Sequence, residues 1–451
     1  MIVSFSVSNF RSFASEETFS LVACNRLAGR HEDHAIPIPD SSERVLRMAV
    51  LYGANGAGKS NLFKALQYLK SIALDTRPKN SGTGRDVFRF GGTEDEPSVF
   101  DLQFIAGNNL YRFGVRVDDK QIRDEWLAHV VGGREKAIYE RVTSSNGEVT
   151  VQAPGLDGVK VRALATIGGP HNQSFLATLL ATLEPSDFGD ELGNVFYWFG
   201  FHLRLIAPTE PLSYLPQLLS WDTDLVGFAG DFLRSSSTGV DHLEIRRNKI
   251  SSGEFENQFS RRHLSQGLGQ KLDGSSIFVV DDEAIEVKPL LDDLWERTTI
   301  QAAHKGPAGN VVAMKLAEES DGTRRLLDLI PALHTPNARG GVYFIDEIDR
   351  SLHPMLVRNF LEQFLRSGDD GQRQLVVTTH ESNLLDQDLL RRDEIWFAEK
   401  DPAGATHIYS LMDFKVRNDL EIRKHYLQGR FGAVPFLGDP ARLPTEINPT
   451  V

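Results

Sequence analysis

One short loop of this chain has a glycine-rich pattern that is typical of phosphate binding. Residues 53–60, which we call the P-loop, read Gly-Ala-Asn-Gly-Ala-Gly-Lys-Ser. Glycines let several backbone N–H groups point at one phosphate, the lysine adds a point charge, and the serine hydroxyl can ligate Mg²⁺. The sequence therefore predicts an ATP-type nucleotide site with Ser60 on the metal, formed by Asn55, Gly56, Gly58, Lys59, Ser60 and Asn61.

A pair of carboxylates follows an apolar run in the second half of the chain. Residues 342–345 are Val-Tyr-Phe-Ile, and Asp346 and Glu347 come directly after them. A run this apolar is typical of a strand buried on both faces of a parallel sheet, and ligands bind at the carboxyl ends of such strands. We predict that Asp346 holds Mg²⁺, through water, and that Glu347 is the catalytic base or orients the attacking water.

Two further segments could contact phosphate. Ser320 is a suitable N-cap for a helix that contains Leu326 and Leu327, and Gly322 in its first turn lets a phosphate approach the backbone. His380 ends a predicted strand over residues 374–379, where it could hydrogen-bond the γ-phosphate of ATP. We therefore add Ser320 and Gly322 to the predicted nucleotide ligands, and His380 joins Lys59 and Glu347 as a catalytic candidate.

The P-loop lies between a predicted strand, residues 46–52, and a helix whose apolar residues recur at helical spacing. Almost three hundred residues separate Lys59 from Asp346, whereas ring-forming motor ATPases and small GTPases place the equivalent elements much closer together. A GTPase would also carry Asn-Lys-x-Asp, and the sequence at 248–251 is Asn-Lys-Ile-Ser. The spacing indicates an ABC-type core that is split by a large insertion.

Patterning in the rest of the chain predicts how this core is divided. An alternating strand opens the chain, a hairpin is predicted over 100–117, a meander follows to about 142, and 172–232 is mostly helical in pattern. The predicted fold class is α/β: an ABC-type P-loop head, with a mixed sheet and an antiparallel β lobe, that carries a largely helical insertion. The predicted units are 1–120, 121–300, 301–435 and a tail at 436–451.

Composition restricts the function classes. The chain has 451 residues, a net charge of -13 and a single cysteine, Cys24, which cannot form an internal disulfide. It shows neither a signal peptide nor an apolar run long enough to span a membrane, so we expect a cytoplasmic protein without membrane contact. The acidic balance argues against a nonspecific DNA coat. Arg246-Arg247 and Arg261-Arg262 are interpreted as solvated surface, with nucleic-acid contact as the weaker alternative, and the Asp281-Asp282-Glu283 run as a solvated turn.

These motifs together resemble the ABC-type ATPases that include the SMC, Rad50, RecF and OLD proteins. The P-loop matches their Walker A motif, 345–347 their Walker B motif, and 348–354 their D-loop. Residues 320–323 match the signature, His380 the switch histidine, and 9–13 the N-terminal motif, which adds Arg11 to the predicted nucleotide ligands. The signature departs from the usual Ser-Gly-Gly, because Asp321 puts a negative charge where a phosphate should dock.

A narrower resemblance links the chain to bacterial ATPases of the RloA/AbiL type from phage-defence, or abortive-infection, operons. It is carried by the runs at 320–327, 346–354 and 426–435. The implied mechanism has two heads that sandwich two ATP molecules in a homo-oligomer. Each site takes Lys59, Ser60, Asp346, Glu347 and His380 from one head and Ser320 and Gly322 from the other.

The resemblance implies a nucleotide-gated sensor or scaffold that controls a separately encoded effector, a nuclease or toxin, because the segment after His380 is too short for a nuclease domain. Two alternatives stay open. One is a DNA repair ATPase like RecF or Rad50, and the other is an ATP-bound assembly platform with little turnover. A transporter ATPase is a remote fourth reading.

Overall fold

The computed structural model describes most of the chain. The described residues are 1–27, 31–79, 81–209, 215–259, 264–265, 276–280, 283–291, 293–334, 340–366, 373–415 and 421–434. The predictions about Arg261-Arg262, Asp281-Asp282 and the tail from Pro435 onward lie outside these residues. Within these ranges, no helix has both the length and the apolar character that crossing a membrane requires.

The strands and helices alternate in blocks along the chain. The strands are β1 (Ile2–Ser8), β2 (Glu17–Ser20), β3 (Ala35–Pro37), β4 (Arg44–Leu46), β5 (Met48–Gly53), β6 (Ser98–Ala106), β7 (Asn109–Val117), β8 (Ile122–Val131), β9 (Arg134–Thr143), β10 (Val149–Gln152), β11 (Leu203–Ile206), β12 (Val240–Ser251), β13 (Leu264–Ser265), β14 (Ser276–Val280), β15 (Glu283–Pro289), β16 (Leu294–Lys305), β17 (Val311–Lys315), β18 (Gly341–Ile345), β19 (Arg373–Thr379), β20 (Ile395–Lys400) and β21 (Thr406–Ser410). The helices are α1 (Lys59–Leu74), α2 (Val159–Ile167), α3 (Phe175–Thr182), α4 (Asp190–Tyr197), α5 (Leu215–Trp221), α6 (Thr223–Ser235), α7 (Ser252–Phe259), α8 (Asp321–Leu333), α9 (Pro354–Arg366) and α10 (Ile422–Leu427).

A core sheet in the order β11-β18-β19-β5-β20-β21 positions the predicted motifs. Its first five strands are parallel, and only β21 runs antiparallel to its neighbour β20. Strands β5, β18 and β19 are buried along their whole length, as the apolar runs of β5 and β18 predicted. Because parallel strands end at one edge, Gly53, Ile345 and Thr379 all finish at the same side of the sheet.

A second sheet is antiparallel and covers one face of the core. Its order is β10-β9-β8-β7-β6-β1-β2, and the predicted hairpin is present, with Leu102 opposite Phe113. Apolar side chains of this sheet and of α1 form one buried cluster with β5. On the other face of the core sheet, α8 and α9 contribute to a second cluster. The P-loop strand is therefore held between two apolar layers.

The insertion differs in part from its prediction. Most described residues between 159 and 235 are helical, as expected for 172–232. Between 240 and 315, however, six described strands form a third sheet, which is antiparallel and ordered β12-β16-β15-β14-β13, with β17 paired to β16. Strand β12 contains Arg246, Arg247, Asn248 and Lys249 in succession, so its sequence shows too little apolar alternation to predict a strand. Such a sheet needs apolar residues on one face only.

The fold class is therefore α/β, a P-loop head with a mixed core sheet, an antiparallel β lobe and an inserted third sheet.

Candidate functional site

The P-loop adopts a conformation that its glycines make accessible. Gly56 and Gly58 have φ angles of 79° and 108°, which side chains rarely adopt. A Cβ atom at Gly58 would also lie 2.1 Å from Oγ1 of Thr406 on β21. Gly58 is the N-cap of α1 and has no side chain to cap the first N–H groups of the helix. These N–H groups are suited to receive an anion.

Lys59 lies at the centre of the site. Its Nζ is 2.8 Å from the carbonyl oxygen of Gly53, 3.1 Å from that of Ala54 and 3.3 Å from Nδ1 of His380. Burial lowers the pKa of Lys59 to about 8, although the nearby carboxylates of Asp346, Asp349 and Glu347 act in the opposite direction. The ammonium group is held by weak carbonyl partners that a phosphate can replace.

His380 follows the end of β19, beside the P-loop. Burial first, and then the charge of Lys59, lower the pKa of the imidazole below its ordinary value. The ring is therefore neutral at pH 7, with one nitrogen that can accept a hydrogen bond and one that can donate. Residues more than three hundred positions apart are brought within hydrogen-bonding distance here.

The two acidic residues after β18 share one hydroxyl group, through the carboxylate of Asp346 and the backbone N–H of Glu347. Asp346 is 2% exposed, and its Oδ1 accepts a hydrogen bond of 2.6 Å from Oγ1 of Thr378 on the next strand. The same Oγ1 accepts a hydrogen bond of 2.8 Å from the backbone N–H of Glu347. Glu347 has a φ of 49°, a left-handed conformation that is uncommon for a residue with a side chain. Thr378 thus positions both acidic residues.

Arg325 of α8 stabilises the backbone of the same turn. Its Nη2 donates to the carbonyl oxygens of Asp346 at 2.8 Å and Glu347 at 3.2 Å, and its Nη1 donates to that of Ala207 at 2.7 Å. The guanidinium is buried, and this burial lowers its pKa. Arg325 therefore links the predicted signature helix to the acidic turn within one chain.

Asp349 is a further carboxylate at this edge. Its Oδ2 accepts a hydrogen bond of 3.3 Å from the backbone N–H of His380. Its Oδ1 is buried, and nothing among the described residues donates a hydrogen bond to it. An orphaned buried oxygen of this kind is uncommon and requires an explanation such as a bound ion or water.

The oxygen atoms at this edge suit Mg²⁺, which needs few protein ligands, better than a metal that is coordinated entirely by side chains. In the described ranges, no group of three or more His, Cys, Asp or Glu side chains is arranged to hold a metal ion. Mg²⁺ is usually bound by one or two protein oxygens together with substrate phosphates and water. The Ser60 hydroxyl and the Asp346 carboxylate are donors of the required type, and the free Oδ1 of Asp349 adds an acceptor for a metal-bound water.

The N-terminal motif is fastened to the P-loop through Ser12. The Oγ of Ser12 accepts a hydrogen bond from Nδ2 of Asn61 and one from Oγ1 of Thr406, each 2.7 Å long. Arg11, with a φ of 54°, forms an ion pair of 3.1 Å with Asp86. Asn61 is thus used to anchor the motif, and Arg11 lies one residue from this anchor.

The predicted signature adopts the expected local structure. Ser320 is the N-cap of α8, and its Oγ accepts a hydrogen bond of 3.1 Å from the N–H of Thr323. A Cβ at Gly322 would lie 2.9 Å from the carbonyl oxygen of Ser351, so glycine is needed for this close approach. Asp321 pairs with Arg324 at 2.6 Å, which offsets the unusual negative charge. Among the described residues, the hydrogen bonds of Ser320 are made to the first turn of α8, and none joins it to the P-loop of the same chain.

A cavity of about 820 Å³ opens beside the P-loop. It is lined by residues 53–57, by His380 and Ser382, by the end of β20, and by Tyr426, Leu427, Ala433 and Val434 near the described C-terminal end. The volume suits a nucleotide-sized ligand. Sequence patterns had marked 426–435 only as part of a resemblance, and the fold brings the described part of this run to the P-loop.

Sequence reasoning had not assigned a function to Thr378, Arg325, Asp349, Ser12 or Thr406. Asp349, Arg325 and Ser12 lie within runs that carry the resemblance, at 348–354, 320–327 and 9–13, and these runs are the sequence signal that could identify them. Thr378 and Thr406 lie in no such run, so only their position in the fold distinguishes them.

Among solved structures, the chain is similar at low identity to two SMC head domains. The chain resembles the solved structure titled "Crystal structure of the SmcHead bound to the C-winged helix domain of ScpA", with 15% identity, coverage of 91% of this chain and 97% of that chain, and a TM-score of 0.38. The chain is 12% identical to the SMC head domain from Thermotoga maritima, with coverage of 91% of this chain and 98% of that chain and a TM-score of 0.35. No curated protein matches the chain.

A family model matches residues 48–386, a span that begins with β5 and extends past His380. This span covers well over half of the sequence and includes the P-loop, the signature helix, the acidic turn and His380. The chain belongs to the family described as "AAA domain, putative AbiEii toxin, Type IV TA system".

Proposed function

We propose that this protein binds and hydrolyses ATP in a Mg²⁺-dependent reaction. The observation that carries the proposal is the convergence of Lys59, His380, Asp346 and Glu347 at the carboxyl edge of one parallel sheet. Phosphoryl transfer needs positioned charges more than covalent chemistry, and this edge supplies a cation, backbone N–H donors and carboxylates within a confined space.

Each residue has a separate task in this proposal. Lys59 exchanges its bonds to the Gly53 and Ala54 carbonyls for phosphate oxygens, and Asn55, Gly56 and Gly58 contribute the phosphate-facing backbone of the loop. Neutral His380 donates a hydrogen bond to the γ-phosphate. Glu347, held in its left-handed conformation by Thr378, orients water for attack. Mg²⁺, held by Ser60 and Asp346, would supply charge neutralisation for the phosphates.

A second copy of the chain completes the site in this proposal. The N-terminus of α8 carries an exposed Ser320 whose hydrogen bonds are local, so it is presented outward. Pairing of Asp321 with Arg324 leaves the helix terminus less repulsive to a phosphate than the sequence alone implied. Ser320 and Gly322 would contact the nucleotide held by the partner head, which makes ATP the link between two chains.

The biological role proposed here is that of a nucleotide-gated sensor or scaffold in bacterial defence against phage. The family description names a putative AbiEii toxin and a type IV TA system. The RloA/AbiL-like runs point in the same direction. ATP binding and hydrolysis would change the assembly and thereby control a separately encoded effector in the cytoplasm.

An ATP-bound platform with little turnover is the second candidate. It is favoured by one contact, because Oε2 of Glu347 lies 3.7 Å from the Arg350 guanidinium. This ion pair occupies the carboxylate that would otherwise orient the attacking water. Measurement of turnover by the wild-type protein distinguishes the two candidates directly.

The decisive experiment measures ATP turnover and the mass in solution of the wild type and of Glu347→Gln, with and without ATP and Mg²⁺. We expect the wild type to turn over, and the variant to bind ATP, lose turnover and double in mass. Glu362→Gln, a carboxylate on α9 paired with Arg358, is the matched control and should behave as wild type.

A wild type that neither binds nor hydrolyses ATP would refute the enzyme proposal. A variant that binds ATP and stays monomeric would refute sharing of the site between two chains. Binding without wild-type turnover would favour the platform.

A further inference from the structure

The outer face of the third sheet carries a cavity that the ATPase proposal does not use. The cavity has a volume of about 330 Å³, lies far from the P-loop in the sequence, and is lined only by polar side chains. We call this cavity the basic cavity, and its lining residues are Arg246, Asn248, Arg297, Thr299, Gln301 and Lys315.

Strand register explains why these six residues converge. Across β12 and β16, Arg246 lies opposite Thr299 and Asn248 opposite Arg297, and Gln301 of β16 lies opposite Lys315 of β17. Because side chains alternate between the two faces of a strand, all six lie on one face. Three cations from three different strands are thereby brought to one place.

The opposite face of the same sheet is packed on the core. Leu243 and Ile300 belong to the apolar cluster that α6 and α8 also join. The basic pair noted in the sequence is divided between these faces. Arg247 donates to the carbonyl oxygen of Ser220 at 3.0 Å, on the packed side, whereas Arg246 lines the cavity. A run of charges that looked like a single solvated patch is therefore two different environments.

The cations of the basic cavity are incompletely neutralised. Arg246 pairs with Glu244 at 2.5 Å and donates to Gln301 at 3.2 Å. Arg297 is different, because its Nε is buried and has no hydrogen-bond acceptor among the described residues. A buried donor without an acceptor is unfavourable unless a ligand or water supplies one. In a chain with a net charge of -13, such a cluster is not explained by composition.

The neutral side chains that line the basic cavity can also bind an anion. Thr299 has a hydroxyl, and Asn248 and Gln301 have amide groups, all of which can donate hydrogen bonds to anionic oxygens. Guanidinium groups match phosphate geometry with parallel N–H donors, and a lysine adds a point charge. The combination is complementary to a tetrahedral oxyanion that carries more than one negative charge.

We propose that the basic cavity binds a phosphate group of a nucleotide or of a nucleic-acid strand, separately from the P-loop. The site would be an input for the ATPase. Lys315 ends β17, and Ser320, the N-cap of the signature helix, lies five positions further along the chain. Between them, Glu319 forms a contact of 2.6 Å with His304 of β16. A ligand held across β12, β16 and β17 would thus act directly on the segment that enters α8.

Binding should be measured in full-length protein that carries Lys59→Met, so that the P-loop adds little phosphate binding of its own. The probes are inorganic pyrophosphate, followed by calorimetry, and a fluorescein-labelled twelve-nucleotide strand of thymidine, followed by anisotropy. We expect Arg297→Gln and Lys315→Gln to weaken binding about tenfold each, because each removes one charge-assisted contact.

Lys249→Gln is the matched control, since it removes one positive charge from the same strand β12 but from the opposite face. It should change the affinity less than twofold, by the same contact argument. Lys315 is exposed, so its substitution should not affect folding. For Arg297→Gln, the melting temperature shows whether the variant is folded.

The two probes distinguish the source of the phosphate. Binding of pyrophosphate alone, weakened by the two variants, supports a free nucleotide ligand, and binding of the strand with competition by pyrophosphate supports nucleic acid. The proposal is overturned if neither probe binds, or if binding is the same in Arg297→Gln and Lys315→Gln as in the parent protein.

Discussion

Both edges of the core sheet carry buried charges, but these charges are fully hydrogen-bonded at one edge and incompletely at the other. At the amino edge, Asp393 accepts hydrogen bonds from Arg391 at 2.7 and 2.9 Å and from the backbone N–H of Cys24 at 2.7 Å. Glu394 accepts from the N–H of Arg391 at 2.7 Å and contacts His34 at 3.0 Å. Every carboxylate oxygen of this pair has a partner.

At the carboxyl edge the charges are close together but incompletely paired. Asp349 keeps an oxygen without a donor among the described residues, and Lys59 is bonded to carbonyl oxygens and a neutral imidazole. Three carboxylates act on this one lysine, yet burial still lowers its pKa.

The comparison teaches how to separate structure from function in a buried charge cluster. Full pairing stabilises the fold and leaves nothing for a ligand, whereas incomplete pairing costs stability and provides binding capacity. The amino edge is therefore interpreted as structural, and the carboxyl edge as the reactive one.

The largest expected effect is the loss of ATP turnover in Lys59→Met. We expect a decrease of at least about 100-fold, since removal of one preorganised electrostatic donor costs this much in other enzymes. Thermal unfolding should be unchanged or shifted upward, because a desolvated ammonium group is removed. A steady-state phosphate-release assay measures the first quantity and calorimetry the second.

Retention of more than a tenth of wild-type turnover would contradict a role for Lys59 in the transition state. Arg391→Met, a cation removed from the amino edge, should show the reverse pattern of lost stability.

A matched pair of carboxylate variants tests the comparison through stability. Asp393→Asn should lower the free energy of unfolding by about 3 kcal/mol, because it breaks a fully paired buried contact. Asp349→Asn should change it by less than about 1 kcal/mol, since reduced repulsion from Asp346 and Glu347 compensates for a weaker attraction to Lys59. Urea-induced unfolding measures both values. Equal losses in the two variants would remove the distinction between the edges.

Thr378→Val tests whether the shared hydroxyl positions the acidic turn. The substitution leaves Asp346 Oδ1 and the Glu347 N–H without their partner, so we expect about a tenfold decrease in kcat, equivalent to about 1.4 kcal/mol. Thr378→Ser keeps the hydroxyl and should restore most of the activity. Similar defects in both variants would indicate that the methyl packing, and not the hydroxyl, matters.

The smallest effect concerns pH. Because the pKa of Lys59 is lowered to about 8, its ammonium form is complete well below pH 8 and is lost as the pH rises through 8. ATP affinity should be nearly constant from pH 6 to 7 and then weaken, by at most about tenfold per pH unit above pH 8. Equilibrium titration with a fluorescent ATP analogue measures this change. Lys59→Arg keeps its charge and should abolish the dependence, so an identical pH profile in that variant would contradict the assignment.

Much of the core and of the site could be predicted from sequence. The P-loop, the acidic strand end and the helix N-cap at Ser320 are local, because a glycine turn, an apolar run or a cap depends on a few adjacent residues. The buried strands followed from continuous apolar runs, and the 100–117 hairpin followed from alternation of apolar residues over short windows. Most of the third sheet did not, because only Leu243 and Ile245 mark the core-facing side of β12 among charged neighbours, and Ile250 lies on the other side.

What the sequence by itself determined is the chemistry available: a phosphate-binding loop, two adjacent carboxylates and a histidine after a strand. Only the tertiary structure decided which side chains support them, because Thr378, Arg325 and Asp349 act through the order of strands in the sheet. The split of Arg246 from Arg247 has the same origin. A contiguous motif is encoded by its own residues, whereas contacts between distant strands depend on how the whole chain packs.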